Sequence, residues 1–396
     1  MSRKGSVWIG GVSAFLIFSV GVVGVRVHGE ETSIDQEIQA LTSRVQQLEK
    51  NSAEPRVSFH GVMAGNGQVL SVQNPPPEVN NGSRGVFVFQ PEVSLRHSDR
   101  DEFFFKFGFA AGNGVAEMSP FALSPWAADT EDSVRDINGR NRDYLLTAWY
   151  KHDFALDPVR LNVTGGLIDA TEYLDDNAFA NDEYSQFMNE ALVNGANVFA
   201  PSYDLGGAVR LEKGAFNVNG VVMDVGENDD GNSFTFYGLQ TGVKLKSSWG
   251  EGNYRVAFEK GDKNFLDVSS TTLKARHGMI LSCDQEFGPI LGGWVRFGTQ
   301  DGDAAIRYGN LYSGGINIRG ALWGRPSDNI GIGHATLNNG NRGIHQSDVT
   351  EAYLRVQLTE CVAMNIDGQY LRDSYDPGAG ERTKGWVSGL LLTSSF

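Results

Sequence analysis

The sequence predicts an all-β protein: a transmembrane antiparallel β-barrel of sixteen strands within residues 55–396, preceded by a short N-terminal coiled-coil helix. Three observations predict this fold. Apolar residues recur at every second position from Val57 onward, and the connections between these segments alternate between very short and long. The sequence printed here also ends at Phe396, inside an amphipathic segment.

The composition limits the classes of protein that the chain can form. It has 396 residues, a formal net charge of -15, 49 glycines and 23 phenylalanines. After Arg26 no run of about 18 apolar residues occurs, so we expect no transmembrane helix in the mature chain. An acidic chain is a poor partner for nucleic acid, because phosphate contacts need a basic face. Two cysteines are too few for a scaffold held together by disulfides.

Residues 1–29 have the pattern of a signal peptide. Arg3 and Lys4 supply the charged start, and an apolar stretch runs from Val7 to Val25. We expect cleavage before Glu30, which would remove three basic residues and no acidic one. The alternative is an uncleaved N-terminal anchor helix. Both interpretations predict that the chain leaves the cytoplasm.

Residues 30–54 carry a heptad-like apolar seam, and Pro55 ends it. Two heptads are too short to be stable alone, but a trimeric body would stabilise them by raising their effective concentration. We therefore expect a periplasmic coiled coil, a homotrimer, and peptidoglycan contact as a further role for this segment. The alternative is an amphipathic helix folded onto the body. The seam residues are Ile34, Ile38, Leu41, Val45 and Leu48.

Strict alternation of apolar and polar residues predicts strands with one face toward lipid and the other toward a polar lumen. Within 86–96, Phe87, Phe89 and Val93 alternate with Gln90 and Glu92. Most of these segments are long enough for a tilted strand to cross the hydrocarbon, which takes about 9–11 residues. The predicted strands are 57–66, 85–97, 102–112, 144–154, 159–169, 205–212, 215–225, 233–247, 252–261, 271–286, 290–300, 311–323, 329–338, 349–359, 361–373 and 385–396.

The connections support a closed barrel in a membrane. Short ones such as 98–101 and 213–214 alternate with longer ones such as 113–143 and 170–204. A transmembrane barrel places short turns at its periplasmic end and longer loops outside. Its closed sheet also pairs every backbone group that faces lipid. The Gly residues suit the turns and the curvature of such a sheet.

Sixteen strands predict a water-filled channel, since side chains already fill a barrel of about eight. We therefore expect solutes to pass through the lumen. Charges of both signs face the lumen without a long ladder of one sign, which favours a small neutral solute over an ion. The lumen-wall candidates are Glu92, Arg96, Lys106, Arg160, Arg210, Arg296, Arg319 and Arg355.

The connection 170–204 is the candidate for a loop that folds inward and narrows the lumen. Its carboxylates and amides can pair with sugar hydroxyls, while its Tyr and Phe rings can stack on the C–H faces of a sugar. This composition favours a carbohydrate. The alternative is that Asn and Asp cap turns while the aromatic residues pin the loop to the wall. The pathway candidates are Asp169, Glu172, Tyr173, Asp175, Asp176, Asn177, Phe179, Asn181 and Asp182.

A resemblance to a known family begins within this loop. The chain resembles the carbohydrate-selective porins (OprB-like) in the run Asp175-Asp176-Asn177-Ala178-Phe179-Ala180-Asn181-Asp182 and in Gln186-Phe187-Met188-Asn189. The resemblance extends loosely over 57–396, including the terminal Phe396. It implies a sixteen-strand porin of the outer membrane of a Gram-negative bacterium, passing mono- or oligosaccharides without energy coupling. Leu167 departs from the Lys of many relatives and the loops 113–143 and 190–204 diverge, so no sugar preference carries over.

Two other functions remain open on the sequence alone. If the loop motif is only structural, the chain would be a general or cation-preferring porin, because its charge balance is acidic. A structural link between the outer membrane and the cell wall, through 31–50, is the other alternative. We expect no enzyme, metal or cofactor, because the histidines are scattered and no phosphate-binding glycine loop or catalytic cluster is recognisable.

Overall fold

The computed structural model describes residues 41–42, 56–75, 79–140 and 142–396. Its internal contacts divide the chain into two units, Met1–Ser52 and Ala53–Phe396. In the first unit, Leu41 and Thr42 are helical. The predicted signal peptide and the remainder of the predicted coiled coil lie outside the described residues. None of the described helices is long and apolar enough to cross a membrane.

The described part of the second unit forms a closed antiparallel sheet of sixteen strands. Its strands are β1 (Arg56–Gln73), β2 (Gly82–Arg96), β3 (Asp101–Phe107, continued by Phe109–Ala111), β4 (Leu145–Leu156), β5 (Val159–Ile168), β6 (Asp204–Lys213), β7 (Phe216–Val225), β8 (Phe234–Ser247), β9 (Gly250–Leu266), β10 (Leu273–Phe287), β11 (Leu291–Gln300), β12 (Asn310–Arg319), β13 (Asn329–Asn338), β14 (Ile344–Gln357), β15 (Val362–Tyr375) and β16 (Thr383–Ser395). Each strand pairs with its neighbours in sequence. The barrel closes because β1 pairs with both β2 and β16. The predicted sixteen-strand barrel is therefore confirmed.

Residues that alternate between apolar and polar in the sequence alternate between the outer face and the lumen face of the barrel wall. In β2, Phe87 is 45% exposed, whereas its neighbours Val86 and Val88 are buried on the lumen side. Large apolar side chains cover the outer face in this way around the whole wall, which suits contact with lipid. Members of this outer face include Phe59, Phe103, Val163, Val209, Tyr237, Phe258, Leu281, Phe297, Ile316, Ile332, Ile366, Trp386 and Leu390.

The first strand is longer than the predicted 57–66, and its extra residues show why. Leu70 and Val72 lie on the lumen side of β1, where a polar residue is expected, but both are apolar and buried. They pack with Val115 and Phe121 from the connection after β3. The prediction required a polar lumen face, but a lumen face that a loop covers can be apolar. This is why the end of β1 was not recognised.

Two long connections at the same end of the barrel turn inward. We call 112–144 the loop L2, described except for residue 141, and 169–203 the loop L3. L2 contains the short helices Gly114–Met118 and Glu131–Arg135, and L3 contains Ala170–Glu172 and Glu190–Val193. A further helical turn, Gly320–Trp323, follows β12. Both loops contribute to the buried apolar clusters, so the long-loop end of the lumen has a packed interior.

Candidate functional site

A buried ion pair fixes L3 to the barrel wall. Arg296 of β11 is fully buried, and its Nε lies 2.8 Å from Oδ1 of Asp175. Its Nη2 also donates to the carbonyl of Ala180 at 2.9 Å, and Asp175 accepts a bond from the Gly195 amide at 2.7 Å. The sequence predicts Arg296 on the open lumen wall. The structure instead buries it beneath L3, because the Asp175 carboxylate pairs with it there.

Further wall residues of β8–β10 hold the same part of L3. Arg255 of β9 lies 2.8 Å from Asp176 and 2.7 Å from Asp284 of β10, so it joins the loop to two strands. The side-chain amide of Asn177 donates to Ser282 at 3.1 Å. Gln240 of β8 accepts a bond from the Asp175 amide at 2.7 Å. These contacts leave the start of L3 little freedom to move away from the wall.

Two strands further around the wall, β14 and β15, hold the end of the recognised motif. Both carboxylate oxygens of Glu351 in β14 accept backbone bonds, from Met188 at 2.6 Å and from Asn189 at 3.0 Å. The side chain of Asn189 donates to Gln369 of β15 at 2.9 Å and accepts from the Ala191 amide, which begins the helix Glu190–Val193. L3 begins at the end of β5, about half the sheet away from β14, so it crosses the lumen to reach these anchors.

Wall glycines make room for apolar side chains of L3. A Cβ on Gly333 would lie 2.9 Å from the ring of Phe187, and a Cβ on Gly292 would overlap the ring of Phe179. These glycines lie on the lumen face of their strands, and the rings sit where other residues would have side chains. We call Gly292 and Gly333 the glycine sockets. The sequence alone assigns glycines to turns and curvature and gives no sign of these contacts.

L2 packs onto L3 and reinforces it. Trp126 of L2 donates its indole N–H to the carbonyl of Glu183 at 3.0 Å, and the Ala127 amide donates to the carbonyl of Met188 at 2.8 Å. The Ser124 amide donates to the Glu190 carboxylate at 2.9 Å. The loop that the sequence analysis set aside as divergent is thus part of the same structure as the recognised motif.

These anchors divide the predicted pathway residues into two groups. Buried members have structural contacts. Asp169, for example, accepts hydrogen bonds from the amide and the hydroxyl of Thr171, and by doing so it caps the turn Ala170–Glu172. This is the role that the alternative interpretation gave them. The buried pathway residues are Asp169, Tyr173, Asp175, Asn177 and Phe179. The pathway residues that retain exposure are Glu172, Asp176, Asn181 and Asp182.

A cavity lies between L3 and the wall formed by β1, β2, β3 and the end of the chain. This cavity, of about 380 Å³, brings Asn181 and Asp182 of L3 opposite Glu92 and Lys106. The sequence analysis predicted all four residues. The same cavity is also lined by Gln90, Glu183 and Tyr184, which the sequence analysis did not select. We call the residues 181–184 with Glu92 and Lys106 the constriction.

Two predicted arginines support L3 next to this passage. Arg210 donates to the carbonyl of Glu172 at 3.1 Å and lies 5.7 Å from the ring centre of Tyr173. Arg355 donates to the carbonyl of Tyr184 at 3.1 Å. Each therefore holds the backbone of L3 while remaining partly exposed.

The other predicted arginines lie toward the short-turn end of the barrel. Arg96 pairs with Glu102 at 3.4 Å, and Arg319 pairs with Glu286 at 2.5 Å. Arg160 is exposed one residue after the start of β5. They were selected because their strand positions face inward, and strand parity does not give the height along the barrel axis.

Two carboxyl groups of L3 near the passage, those of Glu172 and Glu183, are hard to ionise. The side chain of Glu172 is exposed to the lumen, but the protein that surrounds the lumen reduces its hydration and raises its pKa to about 7, and the charge of Asp169 adds to this. Enclosure likewise raises the pKa of Glu183 to about 7, with a contribution from the charge of Asp182. In L2, burial raises the pKa of Asp129 even though the Tyr203 hydroxyl donates to it at 2.6 Å.

We expect the ion selectivity of the channel to titrate near neutral pH because of these groups. Below about pH 7, Glu172 and Glu183 are protonated and neutral; above it they are charged, so preference for cations should rise with pH. Reversal potentials in a KCl gradient from pH 5 to pH 9 measure this. The double variant Glu172→Gln and Glu183→Gln should flatten the curve. A wild-type midpoint near the ordinary Glu value of about 4.3 would contradict the expectation.

The missed residues differ in how visible they were. Glu183 and Tyr184 directly follow the recognised run, so extending that run by two positions would have included them. Asp129 lies in L2, and nothing in its local sequence indicates that it meets Gln90 of β2, 39 residues away, at 3.0 Å. A contact of that kind follows from the barrel and not from the motif.

Known proteins resemble this chain in sequence and in fold. The family model described as carbohydrate-selective porin, OprB family, matches residues 126–372. An uncharacterized protein of Aquifex aeolicus is 28% identical over 261 residues, which are 66% of this chain and 74% of that protein. The match to the family model covers well over half of the chain.

Two solved structures share the barrel fold. The high-pH structure of Pseudomonas putida OprB has a TM-score of 0.66 at 16% identity and covers 89% of this chain and 96% of that one. The outer membrane channel DcaP of Acinetobacter baumannii has a TM-score of 0.53 at 10% identity, with 87% and 98% covered. Together with the family match and the inward-folded L3, this establishes that the chain belongs to the OprB family of carbohydrate-selective outer-membrane porins.

Proposed function

We propose that neutral mono- and oligosaccharides diffuse across the outer membrane through the constriction, between L3 residues 181–184 and the wall at Glu92 and Lys106. The observation that carries this proposal is the geometry of that gap. L3 is tied to β11 through Arg296 and to β14 through Glu351, so a solute passes beside it at a fixed separation. Passage is by diffusion, without energy coupling.

The groups at the constriction suit a polar neutral solute. Lys106 is a hydrogen-bond donor, Glu92 and Asp182 are acceptors, and Asn181 can be both. A sugar hydroxyl also donates and accepts, so it can exchange water for these groups at little cost. A solute of one charge sign would meet groups of its own sign in the same gap.

Lys106 offers a direct test of this pathway, since no hydrogen bond to its amine was found within the described residues. In planar bilayers, glucose and maltotriose should reduce the wild-type current in a concentration-dependent way. Lys106→Met should weaken this block roughly tenfold to a hundredfold, the effect of losing one hydrogen bond to a charged group. The matched control Lys213→Met, at the short turn after β6, should keep the wild-type block. Absence of sugar block in the wild type would refute the proposal.

A preference for cations accompanies sugar passage in this proposal. Glu92, Asp182 and Glu183 outnumber Lys106 at the constriction, and Glu172 lies near them. Above neutral pH the gap would therefore carry a net negative charge that attracts cations. If sugars left the current unchanged while the reversal potential showed cation preference, a general cation-preferring porin would be the better description.

We also propose the assembly and orientation of the chain. The signal peptide 1–29 would be removed, residues 30–54 would lie in the periplasm as a coiled coil, and 55–396 would form the porin domain. Barrel topology supports this placement, because β1 begins at the short-turn end, which is periplasmic in such barrels. Cross-linking of the full chain in outer membranes, with and without 31–50, tests the homotrimer; a peptidoglycan pull-down tests cell-wall contact.

A further inference from the structure

A second cavity lies at the long-loop end of the lumen, apart from the constriction. Its volume is about 310 Å³, at the lower end of the range of about 300–1,000 Å³ for small-molecule sites. Residues 196–201 of L3 form one side of it. The other sides come from the outer ends of β10 and β11 and from the connections 226–233 and 301–309. Because long loops face outward in such barrels, a solute entering from outside reaches this cavity before the constriction.

One arginine in this cavity is held in a fixed position without an acidic partner. The guanidinium of Arg276 lies 4.5 Å from the ring centre of Phe199 and 5.1 Å from that of Phe265. Its Nε and Nη2 donate to the same oxygen of Gln300, at 3.2 and 2.8 Å. No carboxylate in the described part of the chain lies within ion-pair distance of it. A guanidinium has five N–H donors, so three remain uncommitted.

Gln300 makes this arrangement rigid. Its side-chain nitrogen donates to the carbonyl of Tyr308 at 2.7 Å and to the carbonyl of Asn197 in L3. One side chain therefore links Arg276 to L3 and to the connection after β11. A donor that is already oriented loses little conformational entropy when it binds a ligand.

The charges around Arg276 indicate a neutral ligand. The cavity also contains Arg307 on the basic side, and Glu190, Glu227 and Asp229 on the acidic side. An anionic ligand would face three carboxylates, and a cationic ligand would face two guanidinium groups. A neutral ligand with adjacent groups that each donate and accept hydrogen bonds can pair with the guanidinium groups and the carboxylates of the cavity at the same time. Adjacent hydroxyls of a sugar ring have this property.

We propose that this cavity is an outer binding subsite, in which the guanidinium of Arg276 donates to adjacent hydroxyls of a neutral sugar before the sugar reaches the constriction. The inference rests on the proposed function. It assigns a task to Arg276 and Gln300, which the passage itself does not use. It also makes the channel asymmetric, because the subsite is reached directly only from the long-loop side.

Single-channel recording of the full chain tests the subsite, with maltotriose added to one side at a time. In the wild type, blocking events should begin several-fold more often from one side than from the other at equal concentration. Arg276→Met should remove this difference by lowering the faster association rate several-fold, to the rate measured from the other side. Arg276→Lys keeps the charge but loses the planar fork, and it should also lower the rate. Lys246→Gln, an exposed residue near the other mouth, should leave the side-to-side ratio unchanged.

The outcomes separate the subsite from the proposed function. If maltotriose blocks the wild type from neither side, the proposed sugar pathway itself fails. If block occurs but is equal from both sides, or if Arg276→Met keeps the wild-type ratio, sugars pass without this subsite and the inference is overturned. Full activity of Arg276→Lys would show that charge alone matters, which also contradicts bonding to adjacent hydroxyls. Heat-modifiable migration in gels checks that each variant is folded.

Discussion

Replacing Arg296 with Met is expected to widen the channel, with a higher single-channel conductance and weaker block by sugars. The variant leaves Asp175 buried without its partner and removes the bond to the carbonyl of Ala180. Removing one member of a buried pair costs about 3–5 kcal/mol, and moving L3 into water relieves that cost. We therefore expect L3 to leave the wall near β11 while the barrel stays closed.

Two variants decide whether the effect belongs to the buried pair. Arg56→Met removes an arginine whose pair with Asp99, 3.9 Å apart, is exposed, so its conductance should match that of the wild type. Arg296→Met alone should lower the unfolding temperature, because it leaves a buried charge unpaired. Combining it with Asp175→Leu removes both charges and should recover most of that loss. Unchanged conductance and unchanged sugar block in Arg296→Met would show that the ion pair does not position L3.

Substituting Val at the socket Gly292 is expected to displace Phe179 and the part of L3 that carries it. Any Cβ at this position overlaps the ring. Overpacking of this kind usually costs about 1–3 kcal/mol, and here a loop moves more easily than a strand paired on both sides. We expect altered conductance, larger current noise from a mobile L3, and a lower unfolding temperature of the purified porin.

The barrel contains a matched control for this substitution. Gly220 of β7 has no atom within 4 Å of where its Cβ would be, and it lies between residues that face the lumen. Val at that position adds an apolar group to the outer face, so conductance and noise should stay at wild-type values. Should Gly292→Val behave like Gly220→Val, the socket has no role in holding L3.

The barrel could be predicted from the sequence because its signals are local. A strand with a lipid face and a lumen face repeats every two residues, and the alternation of short and long connections is visible along the chain. The prediction failed where this rule was overridden. Leu70 and Val72 can be apolar on the lumen side because L2 covers them, and the residues around them do not indicate that a loop packs there.

The constriction was only partly predictable, for a different reason. The composition of L3 indicated carbohydrate chemistry, and Asn181 and Asp182 do face Glu92 and Lys106. Composition does not decide which carboxylate pairs with a buried guanidinium, since Asp175 and Arg296 are 121 residues apart. The two interpretations of L3 therefore apply to different residues, some holding the loop and others facing the passage.

The long-range anchors of L3 also determine when a newly exported chain acquires a narrow channel. Glu351 and Gln369 lie 163 and 180 residues after the L3 groups that they bind. Contacts between such distant segments form late, because the intervening chain must first be ordered. L3 can reach its final position only after β14 and β15 have joined the sheet, near the last step in which β16 pairs with β1. The channel therefore becomes selective only at the end of membrane assembly. A chain stalled before closure would lack both the β1–β16 pairing and a correctly placed L3.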